Sequence, residues 1–149
     1  MSQDLLLKVE LRSDPSMLCV VRGAMERLTE TFGFSPADCR SVTRAVDEAI
    51  TNIMRHSYQG QMDRPIELLC RRVPKRSGKA GGDGFEVLLR DRGPAVDPKK
   101  LRGRRLDEIK PGGLGLHFIR QSMDVVEFTR GRGANQLRLV KYLHPEQRD

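Results

Sequence analysis

The chain has 149 residues, a length that suits a single domain with enough core to be stable without disulfides. Its net charge of +7 is compatible with nucleic acid, phosphorylated ligands or an acidic partner, but five Phe, two Tyr and no Trp disfavour a stacking surface for nucleic acid. No apolar run reaches the roughly 18 residues of a membrane span, the start "MSQDLLLKVELRS" does not resemble a secretion signal, and three scattered cysteines suit reduced thiols, so we expect a cytoplasmic protein.

The first half of the chain predicts one strand followed by two helices. "LLLKVELRS" alternates and predicts the strand. Asp14 and Pro15 then begin a helix that runs to about Phe32, with Ser35 and Pro36 as the cap and first residue of a second helix that runs to about Ser57. The first helix is expected to bury its apolar side chains: Met17, Val20, Val21, Ala24, Met25 and Leu28.

The second half predicts two strand pairs separated by a loop and a helix. "RPIELLCRRV" and "GFEVLLRDRG" should pair antiparallel across a glycine-rich connection. Residues 98–112, "PKKLRGRRLDEIKPG", predict a basic loop or lid. A helix should then begin near Leu116, followed by the strands "DVVEFTRG" and "NQLRLVKYL". No repeat or boundary divides the chain, so residues 1–149 are expected to form one domain.

Polar side chains line one flank of the second helix. Glu48, Asn52 and His56 are spaced at i, i+4 and i+8, so they lie on nearly the same line. An Asn oxygen suits Mg²⁺, and a Glu one turn away could orient or deprotonate a hydroxyl. An ordinary solvated helix face explains the same residues, and this stretch alone does not decide between the two.

Two glycine-containing segments follow. In the first, a strand ends in Asp91 and Gly93, where a carboxylate could accept a hydrogen bond from an exocyclic amine and Gly lets backbone approach a flat ring. In the second, Gly113 and Gly115 precede a helix, whose free N–H groups favour phosphate. The first segment is equally ordinary turn chemistry, and neither a P-loop nor a G-x-G-x-x-G motif occurs in the chain.

Taken together and in order, these segments resemble one family. Glu48-x-x-x-Asn52, Asp91-x-Gly93 and Gly113-x-Gly115 are similar to the N, G1 and G2 boxes of the GHKL, or Bergerat-fold, ATPases. The phrases "AVDEAITNIMRHSY" and "GGLGLHFIRQSMDVVEF" most resemble the anti-sigma-factor serine/threonine-protein kinase branch, over residues 5 to 143. The resemblance implies an α+β fold, a Bergerat α/β sandwich with a mixed, mostly antiparallel sheet and helices on one face.

The resemblance also implies a Mg²⁺ and ATP or ADP site. Glu48 would be the catalytic residue acting on the nucleophile, Asn52 would coordinate Mg²⁺, Asp91 would hold the adenine amine and Gly93 would shape its pocket. The remaining nucleotide-binding residues that it implies are Arg105, Gly113, Leu114, Gly115 and Leu116. For Arg105 and its basic neighbours a solvated loop is an open alternative.

The resemblance implies a kinase that phosphorylates a STAS-domain antagonist of an anti-sigma factor. Such a kinase takes part in partner switching with a bacterial sigma factor. We expect a homodimer that contacts neither a membrane nor, directly, nucleic acid. The alternative is a catalytically inactive module that sequesters a partner when nucleotide is bound. The altered G1 box motivates that alternative, and a second departure from the family pattern lies near the C-terminus. Pro94 and Ala95 follow Gly93 where a second glycine is common, and Ala134 and Asn135 replace a Gly-Thr pair.

Overall fold

The computed structural model describes residues 4–94 and 113–145, with only the backbone for 113–115. Five strands form one sheet in the order β1-β2-β3-β5-β4, and every neighbouring pair is antiparallel. The strands are β1 (Leu5–Arg12), β2 (Pro65–Val73), β3 (Gly84–Asp91), β4 (Val125–Gly131) and β5 (Ala134–Tyr142). The predicted pairing of "RPIELLCRRV" with "GFEVLLRDRG" is confirmed, with Ile66 opposite Asp91.

In the ranges that the structure describes, three α-helices cover one face of this sheet. They are α1 (Leu18–Phe32), α2 (Pro36–Asn52) and α3 (Gly113–Ser122). A 3₁₀ turn, Pro15–Met17, leads into α1, and a π-helical turn, Ile53–Ser57, extends α2. The predicted α+β fold is confirmed, and no described helix is long and apolar enough to cross a membrane.

The core forms because apolar residues alternate along the strands and recur every three to four residues along the helices. Phe85, Val87 and Leu89 on β3 are fully buried under the helices. Helix α2 and the first residue of the turn after it present one buried apolar face: Val42, Ala45, Val46, Ala49, Ile50 and Ile53.

Val20 is a wrong prediction. It is 61% exposed, whereas its neighbour Val21 and Met25 are buried. Successive residues point about 100° apart around a helix, so the stripe that packs on α2 and the sheet includes Val21 and Met25 but not Val20. The apolar pattern alone did not show whether Val20 lies inside or outside the buried face of α1, and the packing of this helix places it outside.

Helix α2 begins as predicted. Ser35 has extended backbone, and its Oγ accepts a hydrogen bond from the Asp38 N–H at 3.1 Å. Pro36 takes the first helical position, where the missing N–H costs nothing. The cap contributes about 1 kcal/mol to the helix that positions Glu48 and Asn52.

Helix α3 begins earlier than predicted. Its first residue is Gly113, so Gly113 and Gly115 lie in its first turn, three residues before the start expected near Leu116. The N–H groups of a first turn have no partner inside the helix, so Gly is tolerated there. The predicted lid, residues 98–112, lies outside the described residues, and so does Arg105.

Strands β4 and β5 are joined by a two-residue turn. Arg132 and Gly133 both have positive φ, 53° and 74°, between the paired residues Gly131 and Ala134. Positive φ at both positions is the type I′ geometry that matches the twist of a hairpin. The turn fixes the register that brings Asn135 opposite Arg130.

Candidate nucleotide site

Glu48 and Asn52 lie one turn apart on the last turns of α2. Both residues are half-buried, but the Asn52 Oδ1 atom is completely buried and has no hydrogen-bond partner among the described residues. A buried carbonyl oxygen without a partner costs about 1–3 kcal/mol, so this atom is expected to serve a bound group. The neighbouring carboxylate, Asp47, faces α1 instead, where Arg22 Nε donates to it at 2.8 Å.

The π-helical turn after Asn52 brings Ser57 against the end of β3. Adding a Cβ to Gly93 would place it 2.8 Å from both the Cβ and the carbonyl oxygen of Ser57. Gly93 is therefore required here for close approach of two backbone segments, because a side chain at this position has no room. The wide turn of a π-helix is a frequent feature of functional sites, and here it connects Asn52 with Asp91 and Gly93.

Asp91 ends β3 with a buried carboxylate, 4% exposed. Its Oδ1 accepts hydrogen bonds from the Gly93 N–H and from Asn135 Nδ2, both at 2.9 Å. Its Oδ2 lies 3.5 Å from the Ser57 Oγ, a long contact. One oxygen is thus held by the protein, and the other retains capacity to accept from a ligand.

Tyr58 joins three segments around this carboxylate. Its hydroxyl donates to the Pro65 carbonyl at 2.5 Å and accepts from the Arg92 N–H at 2.7 Å. Burial raises the pKa of the Tyr58 phenol, and the charge of Asp91 raises it further. The phenol therefore remains protonated and neutral through the physiological range and acts as a structural connector.

Asn135 is buried beside Asp91 and is itself held by Arg130. Arg130 Nη1 donates to the Asn135 Oδ1 at 3.2 Å and to the Gly93 carbonyl at 2.9 Å. The Asn135 side chain is thus in direct contact with Asp91, in the place where the resembled family keeps a hydroxyl. At this departure from the family pattern, the described contact of Asn135 is with the Asp91 carboxylate.

Helix α3 packs against α2 at the other end of the site. The Arg44 guanidinium lies over the Phe118 ring, 4.2 Å from its centroid, which ties the two helices together. The first turn of α3 contains Gly113, Leu114, Gly115 and Leu116. The packing of α3 on α2 thus determines where the free N–H groups of α3 lie. The two histidines near these helix ends, His56 and His117, are both exposed.

The structure brings most of the predicted site residues onto adjacent elements. Glu48 and Asn52 share one helix, and Asp91 and Gly93 are linked to the end of that helix through Ser57. The sequence reasoning missed Ser57, Tyr58 and Arg130. Ser57 and Tyr58 end the family-like phrase "AVDEAITNIMRHSY", but nothing in that phrase indicates their roles, which arise from contacts between segments that are distant in the chain.

This arrangement, an antiparallel sheet with helices on one face and a buried carboxylate at the end of its central strand, defines a histidine kinase-like ATPase fold. A family model described as the histidine kinase-like ATPase domain matches residues 11–141, and the chain belongs to this family. The suspected membership in the GHKL ATPases is confirmed, and it implies ATP as the bound nucleotide.

Relatives extend over nearly the whole chain. The serine-protein kinase RsbW of Bacillus pumilus is 24% identical over 97% of this chain and 90% of its own length. The serine/threonine-protein kinase BtrW of Bordetella bronchiseptica is 29% identical over 71% of this chain and 72% of its own length.

Solved structures share the fold. A chain from the SiaB-SiaC complex of Pseudomonas aeruginosa matches 93% of this chain and 90% of its own length with a TM-score of 0.65 at 15% identity. A structure of RsbU and RsbW domains from Mycobacterium tuberculosis matches 93% of this chain and 33% of its own length with a TM-score of 0.61, also at 15% identity.

Proposed function

We propose that this protein is a Mg·ATP-dependent serine/threonine-protein kinase of the anti-sigma-factor type. It would transfer the γ-phosphoryl group to a STAS-domain antagonist and take part in partner switching with a sigma factor in the bacterial cytoplasm, as a homodimer. The names of RsbW and BtrW support a kinase. The observation that carries most weight is the buried Asn52 Oδ1, one turn after Glu48, which has no hydrogen-bond partner in the described part of the chain.

The chain's own residues suit this chemistry. Asn52 Oδ1 is a hard oxygen ligand of the kind that Mg²⁺ takes together with phosphate oxygens and water. The metal would neutralise charge on the transferred phosphoryl group. Glu48, one turn earlier, would orient the attacking hydroxyl and accept its proton. No other metal ligand is assigned.

The adenine and phosphate ends are separate. Asp91 Oδ2 would accept a hydrogen bond from the adenine amine, and Gly93 would leave room for the ring. N–H groups in the first turn of α3, from Gly113, Leu114, Gly115 and Leu116, would donate to phosphate oxygens. Arg105 remains a predicted phosphate contact that lies outside the described residues.

Binding is tested first by thermal unfolding with and without Mg·ATP. A ligand that binds only the folded state stabilises it by about 2.7 kcal/mol at a concentration of 100 times its Kd. We expect a rise in Tm for the wild type and a loss of its Mg²⁺-dependent part in Asn52→Ala. A wild type whose Tm does not respond to Mg·ATP would contradict the proposed nucleotide site.

Transfer is tested with labelled ATP and a STAS-domain partner. We expect Glu48→Ala to abolish phosphorylation while it keeps the ATP-dependent rise in Tm. The matched control is Asp47→Ala, which removes the adjacent carboxylate but faces Arg22 of α1, and should retain transfer.

The second candidate is an inactive, nucleotide-dependent binding module. Pro94 directly after Gly93 favours it, because its ring stiffens the backbone at the base pocket. ATP-dependent capture of the STAS partner without any phosphorylated product would support this candidate and refute the kinase.

A further inference from the structure

Three polar side chains lie in one row across the sheet at the edge of the base pocket. Arg130 on β4 is directly opposite Asn135 on β5, and Asn135 is directly opposite Asp91 on β3. Residues paired in this way project from the same face of the sheet, here the face covered by the helices. We propose that Arg130 and Asn135 are positioning residues that orient the Asp91 carboxylate and thereby set the preference for a purine with an exocyclic amine.

The direction of the hydrogen bonds in the row follows from its chemistry. A guanidinium only donates and a carboxylate only accepts, so the group between them must do both. The Asn135 carboxamide does so: its Oδ1 accepts from Arg130 and its Nδ2 donates to Asp91 Oδ1. Arg130 therefore determines which way the Asn135 amide faces. Arg130 does so without a described hydrogen bond to Asp91, since its other acceptor is the Gly93 carbonyl.

Both polar atoms of the Asn135 side chain, Oδ1 and Nδ2, have hydrogen-bond partners within the protein. Besides Asp91, its Nδ2 lies 3.1 Å from the Pro94 carbonyl and 3.4 Å from the Gly93 carbonyl. The residue is 1% exposed, so it does not reach the base itself and acts through Asp91. It also holds the backbone of residues 93 and 94, where the departure from the resembled family occurs.

The consequence is selectivity at one position of the purine. With Oδ1 held by Gly93 and Asn135, Asp91 presents Oδ2, which attracts an amine and repels a carbonyl oxygen. A carboxylate released from Asn135 could rotate and would distinguish the two groups less. This inference rests on the proposed nucleotide site, because the base must lie against Asp91.

The test compares ATP with inosine triphosphate, in which a carbonyl replaces the amine. We expect Asn135→Ala to weaken ATP binding about tenfold, as for loss of a hydrogen bond to a charged group, and to leave inosine triphosphate nearly unchanged, so the affinity ratio falls. Arg130→Met should lower the ratio in the same direction by a smaller factor. Arg130 is exposed, so Arg130→Met should fold normally and remains a test if Asn135→Ala folds poorly.

The matched control is Arg132→Met, which removes a positive charge from the same hairpin at its exposed turn and should leave both affinities unchanged. A second readout needs no nucleotide. The Gly93 N–H donates to Asp91 Oδ1, the oxygen that Asn135 holds in place. If Asn135 orients this carboxylate, the amide hydrogen exchange of Gly93 should accelerate in Asn135→Ala and not in Arg132→Met.

If wild type binds ATP but Asn135→Ala leaves the affinity ratio unchanged, for example by weakening both nucleotides equally, the positioning role is overturned and the proposed site is left intact. An unchanged Gly93 exchange rate would overturn it as well. A wild-type chain that binds neither nucleotide would instead refute the proposed site, and the selectivity with it.

Discussion

At the scale of single residues, Gly93 shows how little space surrounds the base pocket. A Cβ there would lie 2.8 Å from the Ser57 carbonyl oxygen and 3.1 Å from Asp91 Oδ1. The first neighbour is backbone, which cannot rotate away as a flexible side chain could. The glycine is therefore required for the close packing of these two segments.

We predict that Gly93→Ala lowers the free energy of unfolding by about 1–3 kcal/mol, as overpacking does, and abolishes the Tm response to Mg·ATP. The matched control is Gly23→Ala, at an exposed position of helix α1, where an added Cβ meets nothing within 4 Å. This control should gain about 0.5–1 kcal/mol, because Ala favours a helix over Gly. Urea unfolding of both variants is the measurement, and an unimpaired ATP response in Gly93→Ala would contradict the prediction.

At the scale of elements, the π-helical turn and Tyr58 join α2 to two strands. The Tyr58 hydroxyl donates to the first residue of β2 and accepts from Arg92, just after the last residue of β3. The end of the helix that bears Asn52 is thereby held at the strand that bears Asp91. The separation between Asn52 and Asp91, the proposed metal and base ends of the site, depends on this connection.

We predict that Tyr58→Phe lowers the free energy of unfolding by about 1–2 kcal/mol, since the Arg92 N–H loses its acceptor. The same variant should weaken ATP binding, which titration calorimetry would measure. Tyr142→Phe is the matched control: it removes the same hydroxyl from a ring whose described contact is the Arg76 guanidinium, 4.3 Å from its centroid. Equal effects of the two substitutions would exclude a role for the Tyr58 hydroxyl.

At the scale of the whole molecule, the sheet face opposite the helices is covered by ion pairs. Glu86 of β3 is buried and accepts from Arg71 of β2 and Arg138 of β5, each at 2.6 Å. Burial alone would raise the pKa of Glu86, but these two guanidinium hydrogen bonds lower it overall. One carboxylate thus connects three strands, on the sheet face that Glu86 shares with the buried residues Leu88 and Val140.

We predict that this group contributes to acid stability. Because the folded pKa of Glu86 is lowered from 4.5, its contribution is complete above about pH 4.5 and is lost as the pH falls through the folded value. Glu86→Gln should cost about 2 kcal/mol at neutral pH, and the difference from wild type should shrink in acid. Urea unfolding between neutral and acidic pH measures it.

The control for this prediction is Glu127→Gln, which shares the partner Arg138 but has a side chain 57% exposed against 1% for Glu86. An exposed pair contributes little, so we expect a change below about 1 kcal/mol. A pH-independent difference between Glu86→Gln and wild type would contradict the assigned cause.

Much of the fold could be predicted because its signals are local. The cap at Ser35, the buried face of α2, the strand pair β2 and β3 and the order of elements all follow from neighbouring residues. The start of α3 could not be predicted, because glycine is compatible both with a turn and with the first turn of a helix. The exposure of Val20 could not be predicted, because the apolar pattern of α1 does not show which edge of its apolar face packs inward.

The sequence by itself determined the family, through Glu48, Asn52, Asp91 and Gly93 at characteristic spacings. Only the tertiary structure decided how these residues are supported. Ser57 and Tyr58 reach Gly93 and Arg92 from the end of α2, and Asn135 reaches Asp91 across the sheet, over separations of 34 to 44 residues. Such contacts depend on strand register and helix packing, which arise from burial of the entire core and leave no local pattern in the chain.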